Sequence, residues 1–287
     1  MHRLILCLFV LAHASAADAL PLWQIDGDNN SVYLLGSVHL LRESDYPLPA
    51  GIDAAYGDAD VLIMELDLDD LDPIAAQESV QRLGHIQDGR DLAGWLGEAS
   101  YAKATERAEQ LNIPLHGLSI AEPWLAAITV EQMMLTRIGF DSNFGLESHL
   151  LRKAAEDGKK VLGLETLEEQ LTFLDTLSLE AQRALLLETL DQASDIESMM
   201  DSLVGAWRRG DVAYLEEHTL SDLEQYPELY RALVLRRNQN WTNKIEALLD
   251  DEDDYLIIVG MLHLVGDDSV PAQLSSKGHA VRGTAER

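Results

Sequence analysis

Two apolar runs, one near each end of the chain, stop in the same way. "SVYLLGSVHLL" (31–41) and "DYLIIVGMLHLVG" (254–266) each give strand-forming residues, a glycine, two further residues and a histidine, pairing Gly36 with His39 and Gly260 with His263. Short runs rich in Val, Ile, Leu and Tyr read as buried strands. A glycine at the end of such a run permits an unusual turn and close approach, so each imidazole can point back over its strand end. A single Gly-x-x-His is weak, because a lone histidine after a strand is more often structural. Two copies in equivalent contexts predict an α/β chain of two related strand–helix halves, a diverged duplication, around one central cleft with a shared metal site.

The segments between these runs supply the rest of the fold. "LWQI" and "VYLL" around "DGDNNS" read as a β-hairpin, and "VLIMELDL" as a buried strand ending at Glu65 after a short helix near 52–57. "RDLAGWLGEASYAKATERAEQLN", "EPWLAAITVEQMMLTRIG" and "NFGLESHLLRKAAEDG" place apolar residues at three- and four-residue steps, the last ending on Gly158 as a helix C-cap. "KKVLGLE" reads as a strand that hands over to a helix at Glu165, since Thr166 and Glu169 have capping-box spacing. A long helical region spans roughly 179–249, broken near "RRGD" and at Pro227. "YLIIVG", "VPAQLSSKG" and "HAVRG" then predict a buried strand, a short helix and an edge strand. A large helical insert thus separates two sets of strands and helices.

Composition narrows the function. With 287 residues and 47% hydrophobic content the chain can bury a large core as one domain or two packed halves. A net charge of -29 argues against nucleic acid, which requires clustered Lys and Arg. Residues 1–19 read as a secretory signal peptide: a basic start at Arg3, an apolar stretch from Leu4 to Ala12, and small residues that allow cleavage after Ala16 or Ala19. No later run reaches the roughly 18 apolar residues of a membrane span. The expectation is a periplasmic or secreted domain over 20–287 without a membrane span. Cys7, the only cysteine, falls inside the leader, which removes disulfides, cysteine nucleophiles and thiolate ligands from the mature chain.

Four acids and bases stand at strand ends: His39, Glu65, Glu165 and His263. In α/β sheets that is where ligands bind. Imidazole with carboxylate suits zinc, manganese or iron, and two histidines with one or two glutamates leave a position open for water. The ordinary alternatives are that Glu165 assists a helix N-terminus and that Glu65 begins the acidic run "ELDLDDLD". His116, before Gly117 in "IPLHGL", reads as a strand-end rim candidate, whereas His85, His149 and His218 read as surface residues. Arg237 and Asn238 in "LVLRRNQNWTNKI" sit on a helix; an arginine beside a metal can serve a carboxylate or an oxyanion, although spacing alone favours a salt-bridged helix face. No Gly-x-Ser-x-Gly elbow, His-Glu-x-x-His helix, phosphate loop or dinucleotide fingerprint occurs.

In this order and spacing, "LWQI…VYLLGSVHLL", "VLIMELD", "VLGLETLEEQLTFLDTLS", "AWRRGD", "LRRNQNW" and "VGMLHLVGDDSVPAQLSSKGHAV" resemble the TraB/GumN family, which includes the Tiki proteases. The resemblance covers nearly all of the mature chain. It implies a metal-dependent site at the two Gly-x-x-His motifs, with His39, His263 and Glu65 holding a divalent ion of the Mn, Co or Zn type. It also implies Glu165 as a further acid, and Arg237 and Asn238 as groups standing behind the ligands. Met261 stands where a smaller residue is usual, which predicts a narrower pocket. Wnt cleavage belongs to the animal Tiki branch and is not carried over. The function expected is a metal-dependent hydrolase, a peptidase acting on peptide or protein, with one glutamate a ligand and the other a general base in an order the sequence leaves open. The alternatives are a non-catalytic binder of metal, haem or peptide, and a scaffold.

Overall fold

The computed structural model describes residues 20–283, so the expected leader lies outside the described residues. Strands β1 (Leu22–Asp26) and β2 (Ser31–Ser37) form the hairpin, with Trp23 opposite Leu34 and Asp26 opposite Ser31. Its turn is fastened from outside: Asn30 donates to the carbonyls of Leu248 and Asp253, both at 2.8 Å. Three more strands continue from β2 in parallel: β3 (Val61–Leu66), β4 (Lys160–Glu165) and β5 (Tyr255–Gly260), while β6 (Val281–Gly283) closes the far edge against β1. The order is β4-β3-β5-β2-β1-β6. All of β5 is buried, as an unbroken apolar strand must be when both sheet faces are covered.

Helices make the crossovers. Helix α1 (Ala50–Asp58) joins β2 to β3. Between β3 and β4 come α2 (Pro73–Gly84), α3 (Leu92–Leu96), α4 (Glu98–Gln110), α5 (Pro123–Arg137) and α6 (Leu146–Asp157). Between β4 and β5 come α7 (Leu167–Asp175), α8 (Leu179–Gln192), α9 (Ile196–Arg209), α10 (Val212–Glu224), α11 (Pro227–Tyr230), a π-helical segment Arg231–Leu235, and α12 (Arg236–Leu248). Helix α13 (Val270–Ser276) leads from β5 to β6. The helical insert is therefore two excursions, one on each side of β4. Part of them packs into cores of its own, around Leu96, Ala104, Val130 and Leu186 in one and around Trp124, Leu171, Leu174 and Leu229 in the other.

Local chemistry sets the helix ends. Asp72 caps α2, accepting from Ile74 N, with Pro73 in the first turn. Gly158 ends α6 at φ +71, and Thr166 with Glu169 forms the capping box of α7. The sequence reading differs from the structure in four places. A single helix was expected over 90–112, but Gly97 at φ +76 divides it into α3 and α4. Helix α2 was not anticipated, because its sequence is mostly exposed and follows the acidic run. A further break at 193–195 separates α8 from α9. "IPLHGL" is a 3-10 turn, Leu115–Leu118, with His116 exposed; an adjacent proline lacks the N–H that a strand ladder would need.

The parallel run β4-β3-β5-β2 has one decisive consequence. All four carboxyl ends emerge on the same edge, carrying Glu165, Glu65, the turn to His263 and the turn to His39. No helix among the described residues is long and apolar enough to cross a membrane.

Because β5 is one of the two middle strands and Ile258 is fully buried, Ile258→Ala is expected to cost about 2–5 kcal/mol. Ile120→Ala, at a residue 59% exposed, should stay within about 0.5 kcal/mol. Denaturant unfolding of the two variants checks the placement of the core.

Candidate active site

Glu65 is the convergence point. Its Oε1 accepts the Gly260 N–H at 2.8 Å, linking the end of β3 to the end of β5. His39 Nε2 stands 3.8 Å from that same oxygen and His263 Nε2 stands 3.9 Å from it. One carboxylate oxygen thus lies between two imidazoles from opposite ends of the chain. Gly260 makes this approach possible, since a Cβ there would fall 2.9 Å from His39 Nε2 and 3.2 Å from Glu65 Oε1. The turn carrying His39 is anchored below by the buried Trp207, whose Nε1 donates to the Gly36 carbonyl at 2.7 Å.

Both imidazoles are gripped at Nδ1. His39 Nδ1 lies 2.8 Å from Glu147 Oε1, and the same oxygen accepts from Ser37 Oγ at 2.5 Å. His263 Nδ1 donates to Asn238 Oδ1 at 2.7 Å, and Asn238 is fixed in turn by donating to the Asp268 carbonyl at 2.9 Å. Arg237 can only donate, so its Nη1, 3.0 Å from His263 Nε2, makes that nitrogen an acceptor and His263 a neutral Nδ1–H imidazole.

Arg237 is buried among the acids. Its Nη2 donates to Glu65 Oε2 and to Glu165 Oε1, each at 2.6 Å, and its Nε donates to Glu165 at 3.1 Å and 3.2 Å. Trp241 Nε1 completes Glu165 at 3.2 Å, while the Trp241 ring lies 4.4 Å from the His263 ring and 4.6 Å from the guanidinium. Gln170 on α7 donates to Glu65 Oε2 at 3.3 Å. The π-helical segment ends two residues before Arg237, a local widening of the kind that recurs beside functional groups.

These contacts polarise the cluster. Burial opposes charge on Glu65, yet His263, His39, Arg237 and the Gly260 N–H outweigh it and lower its pKa to about 2. Burial holds His263 neutral down to about 3, with Arg237 reinforcing the effect and Glu65 opposing it. Desolvation opposes charge on His39, but Glu147 and then Glu65 raise it to about 9. The His39 ring is the accessible one, 53% exposed against 3% for His263. It opens on a cavity of about 220 Å³ lined with Met64, Glu65, Leu66, Leu68, Glu147 and Gln170. A larger recess of about 320 Å³, lined by Leu185, Ile196 and Leu223 on α8, α9 and α10, contains none of these groups.

In kind, the donors suit a divalent ion: two imidazoles with their far nitrogens fixed, a carboxylate between them, and a buried Glu147 Oε2 without a partner. In spacing, no three His, Asp, Glu or Cys groups among the described residues stand as a ligand set. Arg237 occupies His263 Nε2 and donates to Glu65 Oε2. The fit is chemical and requires Arg237 to release His263 and His39 to give up its Nε2 proton.

The six residues read as ligands, acids or groups behind them lie in this cluster, but not equivalently, and the rim candidate His116 does not line the cavity. His39 and Glu65 face the cavity, His263 and Asn238 are buried behind them, and Glu165 has both oxygens engaged by Arg237 and Trp241. Met261 does not line the cavity; its sulfur fills the space beside Gly36, where a Cβ would come within 2.4 Å. Sequence reasoning missed Glu147, Ser37, Gln170 and Trp241. Trp241 carried a signal, one helical turn beyond Arg237; Glu147, at the start of α6, carried none beyond its place after Gly145.

Two consequences are measurable. Unfolded histidines titrate near 6.5 and unfolded Glu65 near 4.5. His263 therefore costs stability as pH falls from about 6.5 toward about 3, because only the unfolded chain takes up the proton; Glu65 adds to the loss from 4.5 toward about 2. His39 works oppositely, since its contribution is full below 6.5 and lost as pH rises through about 9. Denaturant unfolding across pH 3–10 is expected to show a maximum near neutrality, and His39→Gln should flatten the alkaline side. Arg237→Met, which strands two buried carboxylates, is expected to cost about 3–5 kcal/mol in the same assay.

The chain is similar to the uncharacterized protein YbaP of Escherichia coli (strain K12), 24% identical over 247 residues that cover 86% of this chain and 88% of that one. YbaP of Shigella flexneri matches to the same extent, and an uncharacterized protein of Treponema pallidum (strain Nichols) is 24% identical over 260 residues, covering 86% of this chain and 78% of its own. No solved structure matches. The model of the TraB/PrgY/gumN family matches residues 21–283, which span every strand described above and the whole cluster around Glu65, and the chain belongs to that family.

Proposed function

We propose that this protein is an exported metal-dependent hydrolase, soluble in the periplasm or outside the cell, that cleaves peptide or protein substrates at the Glu65 cluster. The observation that carries the reading is the meeting of His39 Nε2 and His263 Nε2 at Glu65 Oε1, each ring held from behind by a side chain on another element. His39, Glu65 and His263 would hold the ion. A bound divalent ion of the Mn, Co or Zn type polarises a carbonyl and lowers the pKa of water.

The protein's own groups divide the remaining work. Glu165, with both oxygens engaged, anchors Arg237. Arg237, released from His263, offers Nη1 to the oxygen that gains charge as a carbonyl is attacked. Gln170 keeps Glu65 turned so that Oε1 faces the histidines. Met64, Leu66 and Leu68 give the cavity an apolar wall against which a substrate side chain excludes water. The two strand–Gly-x-x-His segments are copies of one ancestral unit in this reading, supported by their departure from the neighbouring parallel strands β2 and β5.

A second reading, non-catalytic capture of a metal, haem or peptide, is favoured by one observation: Arg237 sits on the His263 nitrogen that an ion would need. The two readings part on turnover. His39→Ala and His263→Ala are expected to abolish zinc or manganese retention and cleavage of a mixed peptide pool while leaving the circular dichroism spectrum unchanged. Glu65→Gln should lose the ion, whereas Glu165→Gln should keep it and slow turnover about 10²–10³-fold through a misplaced Arg237. Chelator-sensitive cleavage supports the hydrolase; metal retention with no cleavage by the wild-type chain would favour the binder.

A further inference from the structure

The two histidines are held by unlike partners. His263 is backed by the neutral amide of Asn238, whereas His39 is backed by the carboxylate of Glu147. Glu147 is buried at the start of α6, and Ser37 Oγ donates to it. Both of its side-chain hydrogen bonds converge on Oε1, from Ser37 Oγ and His39 Nδ1, while Oε2 is buried without a partner. No Lys or Arg pairs with it among the described residues, so His39 is the group that answers its charge.

The backbone is built around this contact. Gly145, immediately before α6, packs so tightly against the His39 carbonyl that a Cβ could not be placed there. Leu146 N also donates to the Val38 carbonyl at 3.3 Å. The first turn of α6 is thereby clamped to the His39 turn, and Glu147 arrives beneath the ring.

From this arrangement we infer that Glu147 is the positioning residue of the site: it fixes the His39 ring, keeps a proton on Nδ1, and so turns Nε2 toward Glu65 and the cavity. The inference rests on the metal reading above for its consequence, but the hydrogen bond itself can be tested without any ion. An imidazole that is half exposed and unheld would rotate; a carboxylate at Nδ1 removes that freedom, and strengthens Nε2 as a ligand once an ion displaces its proton. Asn238 performs the orienting part of this task for His263 without adding charge, which matches its burial beside Arg237.

The test compares the full mature chain with Glu147→Gln and Glu147→Ala. In ¹⁵N-histidine-labelled, ion-free protein, the His39 Nδ1–H should appear as a downfield, exchange-protected proton. It should shift in Glu147→Gln, where an amide oxygen still accepts, and vanish in Glu147→Ala, while the His263 resonance stays in all three. Zinc titration should show affinity lowered about 10–100-fold in Glu147→Ala and by less in Glu147→Gln. Retention of a protected His39 Nδ1–H in Glu147→Ala would overturn the positioning role, as would unchanged zinc affinity in both variants. A wild-type chain that shows the proton but binds no zinc would instead sink the metal reading and leave the positioning role standing.

Discussion

The buried guanidinium of Arg237 holds the strand ends in their arrangement. It bridges Glu65 on β3 to Glu165 on β4 and donates to His263 beyond β5, so the ends of three parallel strands share one cation. Two carboxylates this close, each buried, would repel each other and resist ionisation. A planar fork with several fixed donors satisfies them together, which a lysine's single ammonium could not do in the same geometry. Glu165, Trp241 and the π-helical segment act on the site through Arg237, because they determine where that fork stands.

The sheet supplies the second constraint. Parallel strands discharge their carboxyl ends on one edge, and inserting β5 between β3 and β2 sets the second Gly-x-x-His beside the first. Side chains from α6, α7 and α12 then reach in from helices that lie far apart in sequence. The result is asymmetric. His39 is accessible and backed by a charge, while His263 is enclosed, neutral and bonded to a cation. A working site benefits from such a division, with one imidazole at the open face and the other as a rigid reference behind it.

Much of this was legible in the residues. The hairpin, the existence of the strands, the Gly158 cap and the Thr166 capping box follow from period and turn chemistry, which are local; the parallel pairing does not. The strand-end position of Glu65, Glu165 and the two histidines followed from the same local signals. What was not legible depends on packing between distant elements. Glu147 and Gln170 look like ordinary helix residues until α6 and α7 are docked. Periodicity likewise could not tell that Gly97 divides a helix or that the insert is two excursions, because apolar spacing alone does not say which neighbour a face will meet. By spacing alone Arg237 read as a salt-bridged helix face; the family resemblance set it behind the ligands, and its burial among two acids shows what it touches there.

The central claim is that the two Gly-x-x-His motifs and Glu65 form one divalent-ion site. Crystals of the mature chain soaked in zinc, with anomalous scattering collected at the zinc edge, test it most directly. The account predicts a peak about 2.0–2.2 Å from His39 Nε2, Glu65 Oε1 and His263 Nε2, with Arg237 Nη1 withdrawn from His263 and still bonded to Glu165. A zinc-soaked crystal with no peak inside the cluster and Arg237 still resting on His263 Nε2 would contradict it.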